Sequence, residues 1–348
     1  MAFNNKIPAT ATPPEGKTGV LIANLGTPEG TDFFSVRRYL GEFLSDRRVI
    51  EAPPAIWQPI LQGVVLTTRP SKSGEAYARI WNREEDASPL RVYTRAQAEK
   101  LAERLGADVP VAWGMRYGKP SIGEAVEELM DQGCDRILYL SLYPQYSATT
   151  TATANDQLFR TLMTLRRQPA IQTIPAFPDH PVYIAGLEKS VRDHLAGLSW
   201  KPQRIVASFH GLPKLCVDKG DYYPDDCVRT IRALRDALNV SEEQMPITYQ
   251  SRFGPMEWVQ PYTAPFVTAL PEQGITRIAV IMPGFISDCI ETLDEIGHEL
   301  RDEFIEAGGE ELTLIPCLND SDMAIDLLEA LIREACPPAW QKSGLTSA

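Results

Sequence analysis

Eight short runs rich in apolar and β-branched residues punctuate this chain: TGVLIANL (18–25), VPVAWGM (109–115), RILYLSL (136–142), IQTIPAF (171–177), QRIVASFH (203–210), MPITYQS (245–251), RIAVIMPG (277–284) and LTLIPC (312–317). Runs this apolar predict strands buried on both faces, because a strand with one wet face alternates polar and apolar residues. Longer stretches with helical spacing separate them, and strands that alternate with helices pair in parallel. The expected fold class is α/β: two similar Rossmann-like halves, each a four-stranded parallel sheet flanked by helices.

The two halves repeat. NLGTP at 24–28 and FHGLP at 209–213 each follow the first strand of a half. MRYGKP (115–120) answers SRFGPM (251–256), and QGCDRI (132–137) answers QGITRI (273–278), all in the same order. An ordered set of landmarks at strand edges predicts two copies of one unit. The expected division is a disordered lead-in over 1–16, an N-terminal half over 17–170, a C-terminal half over 171–335 and a tail over 336–348. The copies differ in two ways. Leu25 stands where the second copy has His210, and the first copy carries an insertion near 35–90. Within it, FFSVRRYLGEFLSDRR (33–48) is amphipathic at helical spacing, and APPAIWQPILQGVVLTTR (52–69) follows. Its apolar stretch is too short to span a bilayer. It reads either as a core helix or as an apolar lip over a ligand or a membrane surface.

Charge narrows the partners. With 34 basic against 46 acidic residues the net charge is -12, and no block of Lys and Arg offsets it. Such a surface repels phosphate backbones, so nucleic acid is not an expected partner. The six cysteines (Cys134, Cys216, Cys227, Cys289, Cys317 and Cys336) form no C-x-x-C pair and read as free, mostly buried thiols. The first residues, MAFNNKIPATATPPEGK, lack a basic region followed by an apolar one, which predicts a cytoplasmic protein.

Ligands of open parallel sheets sit beyond the carboxyl ends of the strands. His210, one of four histidines, is the last residue of such a run, with Gly211 beside it. It reads either as a structural hydrogen-bonder or as a group that accepts a proton near pH 7 or binds a borderline metal. FISDCIETLDEIGHELRDEF (285–304) predicts an amphipathic helix with Ile290, Leu293, Ile296, Leu300 and Phe304 on one face. Asp288, Glu291, Glu295, Glu299 and Asp302 lie opposite, either as a solvated face or as a ladder of oxygens for a divalent cation. Tyr222, Tyr223, Trp258 and Phe285 suit a slot for a planar aromatic ligand. Arg252, Phe253, Tyr143 and Tyr146 sit at the same predicted edges. The turn GTPEG has neither dinucleotide-fingerprint spacing nor a phosphate-loop lysine.

Taken together, NLGTPE (24–29), SFHGLP (208–213), GDYYPDDC (220–227), TYQSRFGPMEW (248–258) and PGFISDCIETLDEI (283–296) resemble the ferrochelatase family. The likeness runs from about residue 17 to about 335 and looks like the Gram-negative bacterial branch. The resemblance implies a lyase that inserts Fe²⁺ into protoporphyrin IX as the last step of haem synthesis. It implies that His210 and Glu291 are catalytic and that His210, Glu291, Asp288 and Glu295 meet the metal. It implies that Leu25, Arg69, Tyr77, Ser88, Tyr223, Trp258 and Phe285 contact the porphyrin, with 52–69 as the lip. Arg69 and Ser88 would hold propionates. The protein is expected to act as a monomer, with peripheral contact to the inner membrane through the lip. Cys289 stands where animal members have histidine. Ala148 stands where cluster-bearing animal members have cysteine, and Cys336 is alone near the C-terminus, so no [2Fe–2S] cluster and no other cofactor is expected.

Overall fold

The computed structural model describes residues 16–341 and Leu345; the expected disordered lead-in lies outside the described residues up to residue 15. All eight expected strands are present: β1 Thr18–Gly26, β2 Val111–Tyr117, β3 Arg136–Ser141, β4 Ala170–Thr173, β5 Arg204–His210, β6 Ile247–Gln250, β7 Arg277–Ile281 and β8 Glu311–Leu314. They form two four-stranded parallel sheets, ordered β2-β1-β3-β4 and β6-β5-β7-β8. The second order is the first with four added to each number, so the duplication extends to topology. It extends to the backbone as well: Gly133 and Gly274, each just before the third strand of its half, are left-handed at φ 85° and 78°.

The halves are not separate bodies. One continuous core contains Val20, Ile22 and Leu140 from the first sheet and Ala207, Phe209 and Ile281 from the second. The helix Asp322–Ala335 supplies Leu327, Leu328 and Leu331 to the same core. Near the C-terminus, the Trp340 carbonyl accepts from the Thr18 hydroxyl at 3.2 Å and the Ala339 carbonyl from Arg136 at 2.9 Å. The stretch expected as a tail thus crosses back to the start of the first sheet.

The insertion forms α1 Phe33–Ser45, α2 Pro54–Ile60, a π-helical turn at Leu61–Val65 and α3 Leu66–Ile80. Asp32 caps α1, accepting from the Phe34 and Ser35 N–H groups at 2.9 and 3.1 Å. Ser88 caps the next helix, α4 Pro89–Leu105. The core-helix reading of 52–69 holds for one face, and the opposite face is left exposed. Leu61 and Leu66 are buried with Val36, Leu40 and Leu44, and the Trp57 indole donates to the Leu44 carbonyl at 2.7 Å. Ile56, Ile60 and Val64, one turn apart, are 62%, 43% and 58% exposed. Asp46, just after α1, anchors the insertion inward by accepting from Arg116, Thr153 and Tyr117. Burial opposes its ionisation. Hydrogen bonds from Thr153, the Arg48 N–H and Tyr117, with the Arg116 charge, nonetheless hold its carboxyl below the usual range.

The expected continuous helix over 285–304 is not continuous. A short α-turn at Ile290–Leu293 widens into a π-turn at Glu295–Leu300 and returns to α-helix at Arg301–Glu306. The apolar face therefore holds only from Ile296 onward: Ile296, Leu300 and Phe304 are buried, whereas Ile290 and Leu293 are half-buried. A π-turn takes more residues per turn and so rotates the helical residues beyond it.

That turn is clamped to the insertion. Arg79 on α3 donates two bonds of 2.6 Å to Asp294, whose side chain is 3% exposed against 43% for Arg79. Replacing Arg79 by Met strands a buried carboxylate. Breaking a fully buried pair costs about 3–5 kcal/mol, and the half-exposed guanidinium lowers this to roughly 1–3 kcal/mol. Urea unfolding of Arg79→Met should show an earlier midpoint and an unfolding free energy lower by that amount; an unchanged midpoint contradicts the clamp.

Candidate active site

His210 owes its position to the pairing of β5 with β6, in which it lies level with Gln250. The chain turns at once, because the Gly211 N–H donates to the Gln250 carbonyl at 2.8 Å. A Cβ at Gly211 would sit 2.6 Å from that carbonyl oxygen and 3.0 Å from the Trp258 ring, so only glycine fits. His210 Nδ1 lies 2.7 Å from the Gly211 carbonyl oxygen. A carbonyl only accepts, so in neutral imidazole Nδ1 carries the proton and Nε2 keeps its lone pair. That leaves a nitrogen able to take a proton or bind a metal.

The carboxylates separate into four environments that one helical face would not give. Glu291 and Glu295 are half-buried, and Glu295 lies within electrostatic reach of both Glu291 and His210. Ser251, left-handed at φ 62°, donates its hydroxyl to Glu295, and Gln250 Nε2 donates to the same oxygen at 3.2 Å. Asp288 is buried and faces inward: its oxygens accept from Asn319 at 2.7 Å and Thr292 at 2.9 Å. It precedes the N-cap Cys289 rather than lying on the helix. Asp294 is spent on Arg79, while Glu299 and Asp302 face solvent. Among the described residues, no three His, Cys, Asp or Glu side chains converge as a metal-holding group.

Burial raises the Glu295 carboxyl above the ordinary glutamate value, and the Glu291 carboxylate pushes the same way. The Ser251 hydrogen bond, His210 and Gln250 act against that shift. The Cys289 thiol beside Glu291 is pushed well above its usual range by burial, so it is not a thiolate.

Across from Glu291, the end of β1 and the insertion form the other wall. Leu25, Tyr77 and Ser88 line one narrow gap together with Cys289 and Glu291. Tyr39 and Thr27, which carry no signal of their own in the sequence, line it too. Arg69 lies outside this gap, its guanidinium 5.0 Å from the centre of the Phe253 ring. Trp258 is buried beside the His210 turn, its indole N–H donating to the Phe253 carbonyl at 3.0 Å. Tyr223 instead packs into the core shared by the halves, and Phe285 against the second half's own core. Tyr222 stacks on Tyr146 with ring centres 4.9 Å apart.

A carboxyl whose folded value is raised favours the protonated form in the fold. The stability it contributes is present below its unfolded value and is lost as pH rises through the folded value. Replacing Glu295 with Gln should therefore raise the melting temperature relative to the parent at pH 8 and leave the difference near zero at pH 4. The opposite ordering in paired melting curves would show that Glu295 is better accommodated charged.

A model of the family described as Ferrochelatase matches residues 17–336. A ferrochelatase of Gluconobacter oxydans is 74% identical over 336 residues, 96% of this chain and 98% of that one. One of Mesorhizobium japonicum is 58% identical over 320 residues, 91% of each chain. Among solved structures, SirB from Bacillus subtilis with Fe³⁺ superposes at a TM-score of 0.55, covering 92% of this chain and 95% of its own, at 11% identity. The sirohydrochlorin chelatase SirB of subspecies spizizenii with cobalt gives 0.54 over the same shares. At that identity the likeness establishes the shared fold.

Proposed function

This chain belongs to the ferrochelatase family, and from that premise we propose how its residues divide the work of inserting ferrous iron into protoporphyrin. The enzyme is a lyase of haem biosynthesis. Its reaction removes two pyrrole N–H protons and puts Fe²⁺ in their place, so it needs a neutral base, acceptors to carry protons away, and loosely held oxygens for the metal. The observation that carries the assignment is the 2.7 Å approach of His210 Nδ1 to the Gly211 carbonyl oxygen, which in the neutral imidazole leaves the lone pair on Nε2.

In this reading His210 Nε2 accepts a pyrrole proton and the carboxylates nearby favour the resulting imidazolium. Glu291 takes the proton on. Glu295, already biased towards its neutral form, relays it towards the solvent side, where Glu299 and Asp302 lie. The same oxygens of Glu291 and Glu295 meet the incoming iron and hold it weakly enough to release it. Asp288 supports the turn through Asn319 and Thr292 rather than meeting the metal. Leu25, Tyr77 and Ser88 form the wall against which the macrocycle lies, with Trp258 and Arg69 towards its rim. Remote contacts of this kind can hold a ring bent and expose its pyrrole lone pairs.

The reading has no resident cofactor, iron being substrate, and has a monomer working in the cytoplasm at the inner-membrane surface. Among the described residues no helix is long and apolar enough to cross a membrane. The exposed row Ile56, Ile60 and Val64 supplies an apolar face for peripheral contact, which suits a poorly soluble substrate.

Two experiments test this. His210→Ala should lower the rate at which Fe²⁺ quenches protoporphyrin fluorescence by more than about 10²-fold while porphyrin affinity is kept; turnover near the parent rate removes His210 from the base role. Changing Ile56, Ile60 and Val64 together to Ser should abolish co-sedimentation with phosphatidylcholine vesicles and spare turnover of detergent-dispersed porphyrin. Undiminished sedimentation would place membrane contact elsewhere.

A further inference from the structure

Gln250 touches both sides of the reacting constellation. Its main-chain carbonyl accepts the Gly211 N–H at 2.8 Å, fixing the turn that presents His210. Its side-chain Nε2 donates to the Glu291 carbonyl at 2.8 Å and to Glu295 Oε2 at 3.2 Å. Its Oε1 accepts from the Ser208 hydroxyl at 2.7 Å. Ser208 in turn lies 2.9 Å from the Thr263 hydroxyl, which donates to Thr248 at 2.9 Å. All four of these residues are buried.

The amide orientation is forced. Flipped, its oxygen would lie 2.8 Å from the Glu291 main-chain carbonyl oxygen, which has no proton to give. The bonds to Glu291 and Glu295 fall where the helix is least regular. Four residues of α-helix, Ile290–Leu293, run into the π-turn that starts at Glu295. So short a turn does not stiffen itself, and its orientation depends on what holds it from outside.

We propose that Gln250 is a positioning residue for iron insertion: its main chain and its carboxamide together set the separation of the His210 imidazole from the Glu291–Glu295 pair. The inference rests on the roles proposed for His210 and Glu291. Proton transfer and metal entry both depend on that separation, and errors of about 1 Å in a reacting geometry cost on the order of 10²-fold in rate. Gln250 does this without touching the porphyrin, and the buried hydroxyls of Ser208, Thr263 and Thr248 hold it in place.

The test is steady-state insertion of Fe²⁺ into protoporphyrin by Gln250→Glu, Gln250→Leu and Ser208→Ala, with porphyrin affinity from fluorescence titration and folding from thermal melts. Glutamate keeps the shape but turns an oxygen towards the Glu291 carbonyl and Glu295. Leucine keeps the bulk without the bonds. Both should lose at least about tenfold in kcat, with porphyrin KM and Kd within about twofold of the parent. Ser208→Ala leaves Gln250 in place but loosens its amide, and should show a smaller loss with the same split; it carries the test if the Gln250 variants do not fold. An unchanged kcat in the folded variants overturns the proposal. So does a raised porphyrin KM at unchanged kcat, which would make Gln250 a substrate contact. His210→Ala, measured alongside, separates the two claims: if it is inactive while the Gln250 variants match the parent, only the positioning role fails. If it turns over normally, the roles on which the proposal rests fail.

Discussion

The bond from His210 Nδ1 to the Gly211 carbonyl is the contact on which the rest of the site depends. It fixes the tautomer, and the tautomer decides whether the ring meets the cleft with a lone pair or with a proton. The bond needs the chain to turn sharply at Gly211. The turn needs a residue without a side chain, because the Gln250 carbonyl and the Trp258 ring close the space from two sides. Gln250 is there because β6 pairs in parallel with β5 in one register, and a slip of one residue would reverse every side chain along it. A property of the whole sheet is thereby expressed in the tautomer of one neutral imidazole.

Duplication explains why such a device appears once. Both halves have the same strand order and the same glycine-marked turns, yet the end of β1 carries Leu25 and the end of β5 carries His210. The half without the imidazole has gained the insertion instead, which supplies Tyr39 and Tyr77 to the facing wall and Arg79 to the clamp on Asp294. Because the sheets share one core, neither wall can drift independently of the other. Precision between base and carboxylates is then a matter of local bonds, such as those of Gln250, built on a stiff frame.

Much of this was legible in the residues. The eight strands read out correctly because buried parallel strands carry dense apolar runs, and the ordered landmarks exposed the repeat. His210 stood out through its place at a strand end. The acidic ladder misled because its spacing assumed 3.6 residues per turn throughout. The helix begins after Asp288 and widens at Glu295, so Asp288 turns inward and Asp294, outside the expected set, meets Arg79. Gln250 and Ser251 were silent because a glutamine and a serine at a strand end have no distinctive chemistry until their partners are known. Those partners come from Glu291 and Glu295, some forty residues away. Of the aromatic residues near that edge, Tyr223 is buried in the shared core and Phe285 is half-buried against the second half's core.

The central claim is that the fold itself holds His210 as a base with a free Nε2. The chain has four histidines, few enough for each ring to be resolved by long-range ¹H–¹⁵N correlation of ¹⁵N-histidine-labelled protein, with His210 assigned by its loss in His210→Ala. At pH 8 the His210 Nε2 should resonate as an unprotonated, pyridine-like nitrogen and Nδ1 as a protonated one. A proton on Nε2 at that pH, with Nδ1 bare, would contradict the account at its foundation.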